Sequence, residues 1–141
     1  VAGWTRRYDG SHLPQADMRE WVDGTVARLL ALKPRRVLEL GCGTGLLMFR
    51  VAPSVEHYVA TDFSPATLHY LRSHLDSLGE KAGSVELLER AADAIDDLPG
   101  DFDLVYTSIG AIWTTPGSSA SCEVALRPRG KRAWNDRSTP P

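Results

Sequence analysis

A glycine-rich segment in the first third of the chain constrains the fold more than any other feature. Residues 37–45 read VLELGCGTG, an apolar run that leads into three glycines at alternate positions. A buried strand that turns sharply into a helix has this pattern, because glycine adopts backbone conformations closed to other residues and lets a ligand approach main-chain N–H groups. The segment therefore predicts a ligand-binding loop at the carboxyl end of a parallel strand.

Helices and strands are predicted to alternate on both sides of this loop. Apolar spacing predicts helices over 16–32, 44–52 and 65–78, a helical turn over 94–98, and strands over 37–40, 57–61, 85–88 and 102–107. The helix over 65–78 has the clearest limits, with Ser64 as N-cap, Pro65 at the first helical position and Gly79 as C-cap. This alternation is typical of an α/β protein with a Rossmann-like, doubly wound parallel sheet and flanking helices.

Two acidic residues accompany the glycine loop. Glu39 places a carboxylate in an otherwise apolar strand, where an unpartnered charge would be costly, so we expect it to meet a cation or a hydroxyl. Asp62 follows the second predicted strand, 17 residues after Gly45, close to the roughly 20-residue spacing at which a carboxylate reaches ribose hydroxyls in nucleotide-binding βαβ units. Asp62 could instead cap the helix that opens near Ser64, and the loop could be a turn that only joins strand to helix.

The loop also distinguishes between two kinds of nucleotide ligand. A dinucleotide-binding loop reads G-x-G-x-x-G, and its third glycine would fall at position 46, where this chain has Leu46. The pattern here favours a ligand that joins a nucleoside to an amino acid, because no pyrophosphate has to be held against the helix N-terminus. An NAD-binding oxidoreductase domain remains an alternative.

Four motifs in order resemble those of class I S-adenosylmethionine-dependent methyltransferases. They are VLELGCGTG at 37–45, TDFS at 61–64, AAD at 91–93 and FDLVYTS at 102–108. The stretches at 4–10, 18–34, 45–53 and 61–72 are similar, more narrowly, to the methyltransferase domains embedded in nonribosomal peptide synthetases and polyketide synthases. The resemblance, which covers 4–108, implies S-adenosylmethionine as cofactor and methyl transfer to a nitrogen, carbon or oxygen atom of a carrier-bound peptide or polyketide intermediate. It also implies neighbouring synthetase domains as partners. A non-catalytic nucleotide-binding or interaction module remains a second alternative.

The resemblance further implies which residues bind the cofactor. It places Glu39, Gly41, Cys42 and Gly43 at the methionine part, with Gly45 completing the loop, Asp62 at the ribose, Phe63 at the adenine face, and Ala92 and Asp93 at the adenine edge. Tyr8 either helps to close the methionine pocket or packs on the first helix. Cys42 is better explained by packing in the loop than as a nucleophile, the histidines lack metal-ligand spacing, and no catalytic residue is identified.

Composition and charge limit the binding partners and the cellular compartment that we expect for this protein. A formal net charge of −2 gives no broad basic field for nucleic acid or anionic lipid. No apolar run approaches the roughly 20 residues of a membrane span, and the amino terminus lacks a signal pattern. The two cysteines, Cys42 and Cys122, do not form a disulfide framework. We therefore expect a cytoplasmic protein without nucleic-acid or membrane partners.

The alternation of predicted helices and strands ends after Ser108. The predicted organisation is an N-terminal segment over 1–15, the N-terminal, cofactor-binding part of a methyltransferase domain over 16–108, and an irregular tail over 109–141. The tail is rich in Gly, Pro, Ser and Arg and has only a few strand-like residues, 124–126, so we expect a truncated or frame-shifted end. The start at Val1 predicts a piece of a longer polypeptide. The sheet would then be truncated to about four strands, with the fourth as an exposed edge and the acceptor half missing.

Overall fold

The computed structural model describes residues 15–91, 94, 98 and 102–107, together with the backbone of 124–126. Helices α1, α2 and α3 span Gln15–Ala31, Met48–Val51 and Pro65–Leu78. Strands β1 to β5 span Arg36–Leu40, His57–Asp62, Val85–Glu89, Leu104–Thr107 and Val124–Leu126. Two short 3-10 helices follow α2 and α3, over Ala52–Ser54 and Gly79–Ala82.

The strands form one sheet in the order β3-β2-β1-β4-β5. The first four pair in parallel, which confirms the predicted doubly wound sheet. The expectation that β4 is an exposed edge is wrong, because β5 pairs antiparallel with it and aligns Val124 with Tyr106. A free strand edge offers unpaired N–H and C=O groups, and the short apolar run at 124–126 pairs with them.

Side chains that alternate along the strands build a core on each face of the sheet. On one face, Val37, Tyr58 and Leu104 pack with residues of the three helices, among them Val26, Met48 and Leu71. On the other face, Leu38, Val59 and Val105 pack with Leu98 and Phe102. The central strands are thus buried on both faces, as in other parallel sheets. Within the described residues, no helix is both long and apolar enough to cross a membrane.

Helix α3 has the predicted limits and caps. The Ser64 hydroxyl accepts a hydrogen bond from the Thr67 N–H at 3.3 Å, and Pro65 occupies the first turn. At the other end, Gly79 has a positive φ of 57° and its N–H donates to the Leu75 carbonyl. Both ends of the helix are therefore satisfied by the residues that the sequence pattern indicated.

Helix α2 is shorter than predicted. The prediction placed a helix over 44–52, but turns occupy the chain as far as Leu47, and α2 begins at Met48. The cause is the positive φ of Gly41, Gly43 and Gly45, at 70°, 53° and 80°, which keeps the loop out of helical geometry. Pro53 does not end the helix but lies within the following 3-10 turn. The turn predicted over 94–98 lies outside the described residues except at its two ends.

Candidate functional site

The glycine loop emerges where the sheet reverses its order of strands. From β1 the chain moves outward through β2 to β3, then returns to place β4 on the other side of β1. In open α/β sheets, ligands bind beyond the carboxyl ends of the strands at such a switch point. The loop after β1 and the end of β2 therefore form the candidate site.

Main-chain hydrogen bonds fix the loop against β2. The Cys42 N–H donates to the Thr61 carbonyl at 2.8 Å, and the Gly45 N–H donates to the Cys42 carbonyl at 3.0 Å. Gly43 and Gly45 have different roles in the loop. A Cβ on Gly43 would meet no atom within 4 Å, so this part of the loop is open to a ligand. A Cβ on Gly45 would lie 2.7 Å from the Phe49 ring, so close packing explains the absence of a side chain there.

Asp62 connects the loop to the start of α3. Its carboxylate is 7% exposed; one oxygen accepts from the Gly43 N–H at 3.0 Å and the other from the Ser64 N–H at 2.9 Å. The Ser64 N–H belongs to the N-cap residue, and the capping bond of α3 itself is accepted by the Ser64 hydroxyl rather than by Asp62. Because each carboxylate oxygen has a second lone pair, both can still accept a hydrogen bond from a ligand hydroxyl.

Glu39 lies wholly buried on β1, the strand that leads into the loop. Its Oε2 accepts a hydrogen bond from the Tyr58 hydroxyl at 2.6 Å, which confirms the expected hydroxyl partner, and the same hydroxyl is hydrogen-bonded to that of Tyr106. Among the described residues, Oε1 of Glu39 has no hydrogen-bond partner. Burial raises the pKa of Glu39 to about 8, although the hydrogen bonds from Tyr58 and Tyr106 act in the opposite direction.

Sequence reasoning did not find Tyr58 and Tyr106. Both lie at strand positions with the same inward orientation as Glu39, and Tyr106 is directly in register with it. The sequence did contain a signal for this cluster, since each of two apolar strands has one tyrosine. A buried tyrosine hydroxyl requires a hydrogen-bond partner.

Phe63 presents an exposed aromatic ring beside Asp62. It directly follows β2 and is 68% exposed, so its ring is available for stacking. Leu46, at the position where a dinucleotide loop would have glycine, is 41% exposed. The other predicted contacts, Tyr8, Ala92 and Asp93, lie outside the described residues.

Cys42 is unsuited to nucleophilic chemistry. Its side chain is buried, and burial, with the nearby charges of Glu39 and Asp62, raises the pKa of its thiol well above the ordinary range. In the part of the chain that the structure describes, no group of three or more His, Cys, Asp or Glu side chains is placed to hold a metal ion. The described part of the candidate site therefore comprises a glycine loop, two buried carboxyl groups and an exposed aromatic ring.

Comparisons with known proteins match a part of the chain that includes the glycine loop and Asp62. A family model described as a methyltransferase domain matches residues 37–130. Chondramide synthase cmdD of Chondromyces crocatus is 44% identical over 130 residues, which are 90% of this chain and 3% of that protein. The beauvericin nonribosomal cyclodepsipeptide synthetase of Beauveria bassiana is 36% identical over 99 residues, 70% of this chain and again 3% of the relative. The chain thus spans a small fraction of the length of these curated relatives.

Solved structures share the fold. The SAH-bound methyltransferase PaMTH1 of Podospora anserina superposes with a TM-score of 0.55 at 24% identity, over 72% of this chain and 49% of that one. The magnesium protoporphyrin IX methyltransferase ChlM of Synechocystis PCC 6803, also with bound SAH, gives a TM-score of 0.51 at 20% identity, over 71% and 48% of the two chains. At these identities the likeness establishes the architecture alone.

Proposed function

Because the chain belongs to the S-adenosylmethionine-dependent methyltransferase domain family, we propose that its crevice binds S-adenosylmethionine and that the domain methylates a carrier-bound intermediate. The acceptor atom would be a nitrogen, carbon or oxygen of a peptide or polyketide. The observation that carries the proposal is the hydrogen bond from the Gly43 N–H of the glycine loop to the Asp62 carboxylate, which ends the neighbouring strand β2.

The chemistry of these groups fits this cofactor. Asp62 has lone pairs for ribose hydroxyls, and the unpaired Oε1 of Glu39 is an acceptor for a cationic group. The open space at Gly43 allows a ligand to approach the backbone closely. Two carboxylates beside the loop favour a ligand whose charge is positive, as in a sulfonium bound to an amino acid.

We assign the parts of the cofactor accordingly. Gly41, Cys42, Gly43 and Glu39 would hold the methionine part, Asp62 the ribose and Phe63 the adenine face. The resemblance adds Ala92 and Asp93 at the adenine edge and Tyr8 near the methionine. Gly45 would support the loop through its packing against Phe49 rather than by direct contact.

A nitrogen acceptor requires little acid-base chemistry from the protein, whereas a carbon or hydroxyl acceptor more often needs a base to take its proton. When bound, the sulfonium supplies an already activated methyl group. The chain's own residues then hold the donor in a fixed orientation, because Asp62 is anchored by the Gly43 and Ser64 N–H groups before any ligand arrives. Such alignment, together with exclusion of water, is the main source of rate for a transfer of this kind.

The relatives support the choice of acceptor and partners. One of them is named a synthase and the other a nonribosomal cyclodepsipeptide synthetase, and both are far longer than this chain, so we propose that neighbouring synthetase domains present the acceptor on a carrier. Within the chain, residues 16–108 would form the cofactor-binding part, preceded by the segment 1–15 and followed by the tail 109–141. We propose the cytoplasm as the compartment.

A dinucleotide-binding oxidoreductase is less well supported. The Gly43 N–H, which a pyrophosphate would require, is already bonded to Asp62, and the carboxylate would repel the phosphates. Leu46 occupies the position of the third glycine.

Methyl transfer can be tested with the full chain and isotopically labelled S-adenosylmethionine. The acceptors would be aminoacyl, peptidyl and ketoacyl thioesters of pantetheine, analysed by mass spectrometry. We expect one labelled methyl group on at least one acceptor, and less transfer from Asp62→Ala than from the native chain when the cofactor is below saturation. Cofactor binding without transfer to any acceptor would favour the non-catalytic module.

A further inference from the structure

Three side chains on one face of the sheet form a buried polar cluster. Glu39 on β1 is in register with Tyr106 on β4, and Tyr58 on β2 donates to Glu39 Oε2 at 2.6 Å while its oxygen also contacts the Tyr106 hydroxyl. All three are at most 1% exposed. The two tyrosines thus lie on the strands either side of the carboxylate, and among the described residues only Oε2 of its two oxygens has a hydrogen-bond partner.

Among the described residues, no positively charged side chain contributes to the pKa of this carboxyl. The helices packed on the same face contribute apolar side chains, among them Val26, Met48 and Leu71. Besides the tyrosines, the titratable group that acts on this carboxyl is Asp62, whose negative charge raises the pKa of Glu39. The ion pairs recorded for the described residues join other groups, such as Arg35 with Glu56 and Arg50 with Asp23.

We propose that Tyr58 and Tyr106 are positioning residues of the cofactor site, which hold one oxygen of Glu39 and leave the other for the α-ammonium group of the cofactor. Cofactor binding then breaks the O–H bond of the protonated Glu39 carboxyl and releases its proton to solvent, while the carboxylate keeps the electron pair and faces the ammonium group. This inference rests on the proposed function, since it needs a ligand with an amino-acid end.

The number of protons released depends on the pKa of the Glu39 carboxyl before and after the ligand binds. With a pKa of about 8, Glu39 is protonated over ionised by about ten to one at pH 7. A cation within a few ångströms lowers the pKa of a carboxyl by about 1–3 units. Binding at pH 7 should therefore release roughly 0.4 to 0.9 proton for each ligand bound.

Titration calorimetry of the full chain at pH 7 tests this directly. Titrations in two buffers with different ionisation enthalpies give the number of protons released from the difference in apparent binding enthalpy. The probes are S-adenosylhomocysteine, which has the α-ammonium group, and methylthioadenosine, which keeps the nucleoside and lacks the amino-acid end. We expect release with the first probe and almost none with the second.

Variants separate positioning from simple packing. Tyr58→Phe and Tyr106→Phe each remove one hydroxyl that favours the ionised carboxyl, so proton release should move to higher pH and affinity should fall roughly 3- to 10-fold. Glu39→Gln should abolish the release. Tyr70→Phe is the matched control, because Tyr70 is exposed on α3 and its loss of a hydroxyl should change neither quantity.

The outcomes distinguish this inference from the proposed function. S-adenosylhomocysteine binding without proton release, or with the same release as methylthioadenosine, would overturn the role given to Glu39 and its tyrosines while leaving the cofactor site intact. An unchanged pH profile in both tyrosine variants would do the same. Failure of the native chain to bind S-adenosylmethionine or S-adenosylhomocysteine would overturn both.

Discussion

At the scale of single residues, the site depends on two carboxylates with different surroundings. Asp62 receives two main-chain hydrogen bonds, whereas Glu39 is enclosed and accepts from the Tyr58 hydroxyl, which is itself hydrogen-bonded to that of Tyr106. The sequence predicted both acids from their positions relative to the glycines. It did not predict Tyr58 or Tyr106, because which side chains meet across a sheet depends on strand order and register, and neither is written in local spacing.

Replacing Asp62 tests its part in the loop. Asp62→Ala leaves the Gly43 and Ser64 N–H groups without their partner and removes the proposed ribose contact. We expect affinity for S-adenosylhomocysteine to fall by about 1–3 kcal/mol, the range for an unpaired buried polar group. Equilibrium dialysis measures this, with the exposed Asp76→Ala on α3 as control. Equal affinities for the two variants would show that Asp62 only caps the helix.

The glycines of the chain provide a second comparison. In Gly45→Ala the new methyl would overlap the Phe49 ring and the Leu71 side chain, and φ is 80°, so we expect a loss of about 2 kcal/mol or more in the free energy of unfolding. Gly24→Ala on α1 meets no atom within 4 Å and should stabilise by about 0.5–1 kcal/mol. Urea denaturation measures both. Similar effects at the two positions would contradict the packing role of Gly45.

At the scale of the elements, the sequence predicted α1, α3 and the four parallel strands because their apolar periods and caps agree. It failed at α2, where loop geometry set by positive φ angles overrides the apolar spacing of 46–51. The sequence also did not predict that β5 forms the edge of the sheet beside β4. The residues 124–126 carry a weak local signal, and their pairing with β4 is a long-range contact that no local pattern encodes.

The N-cap of helix α3 should contribute to the stability of the chain. Ser64→Ala removes the acceptor for the Thr67 N–H, so the free energy of unfolding should drop by about 1 kcal/mol. Ser73→Ala is the control, because Ser73 lies within the same helix and its hydroxyl only donates back to the His69 carbonyl. Thermal denaturation compares the two. If Ser73→Ala destabilised the chain as much as Ser64→Ala, the cap would have no special role.

For the whole molecule, stability in the absence of cofactor should depend on pH through Glu39. Its pKa is raised from 4.5 to about 8 on folding, so between these values the folded state binds more protons than the unfolded state. The contribution of this group to stability is complete below about pH 4.5 and is lost as pH rises through 8. The loss is at most about 1.4 kcal/mol for each pH unit.

Denaturation from pH 5 to 8.5 checks this dependence. We expect Glu39→Gln to flatten the fall in unfolding free energy, because the amide cannot ionise. Glu80→Gln, at an exposed position, should follow the native curve. A native chain whose pH dependence matches that of Glu39→Gln would show that the buried carboxyl is not the titrating group.

The chain has a methyltransferase fold, and we propose that its crevice binds a cationic nucleoside. The measurement that tests this most directly is calorimetry of the full chain with S-adenosylmethionine, S-adenosylhomocysteine and NAD under identical conditions. We predict saturable one-to-one binding of the first two ligands and no detectable heat from NAD. Binding of NAD in preference to both, or no binding of either adenosyl ligand, would contradict the assignment of the crevice.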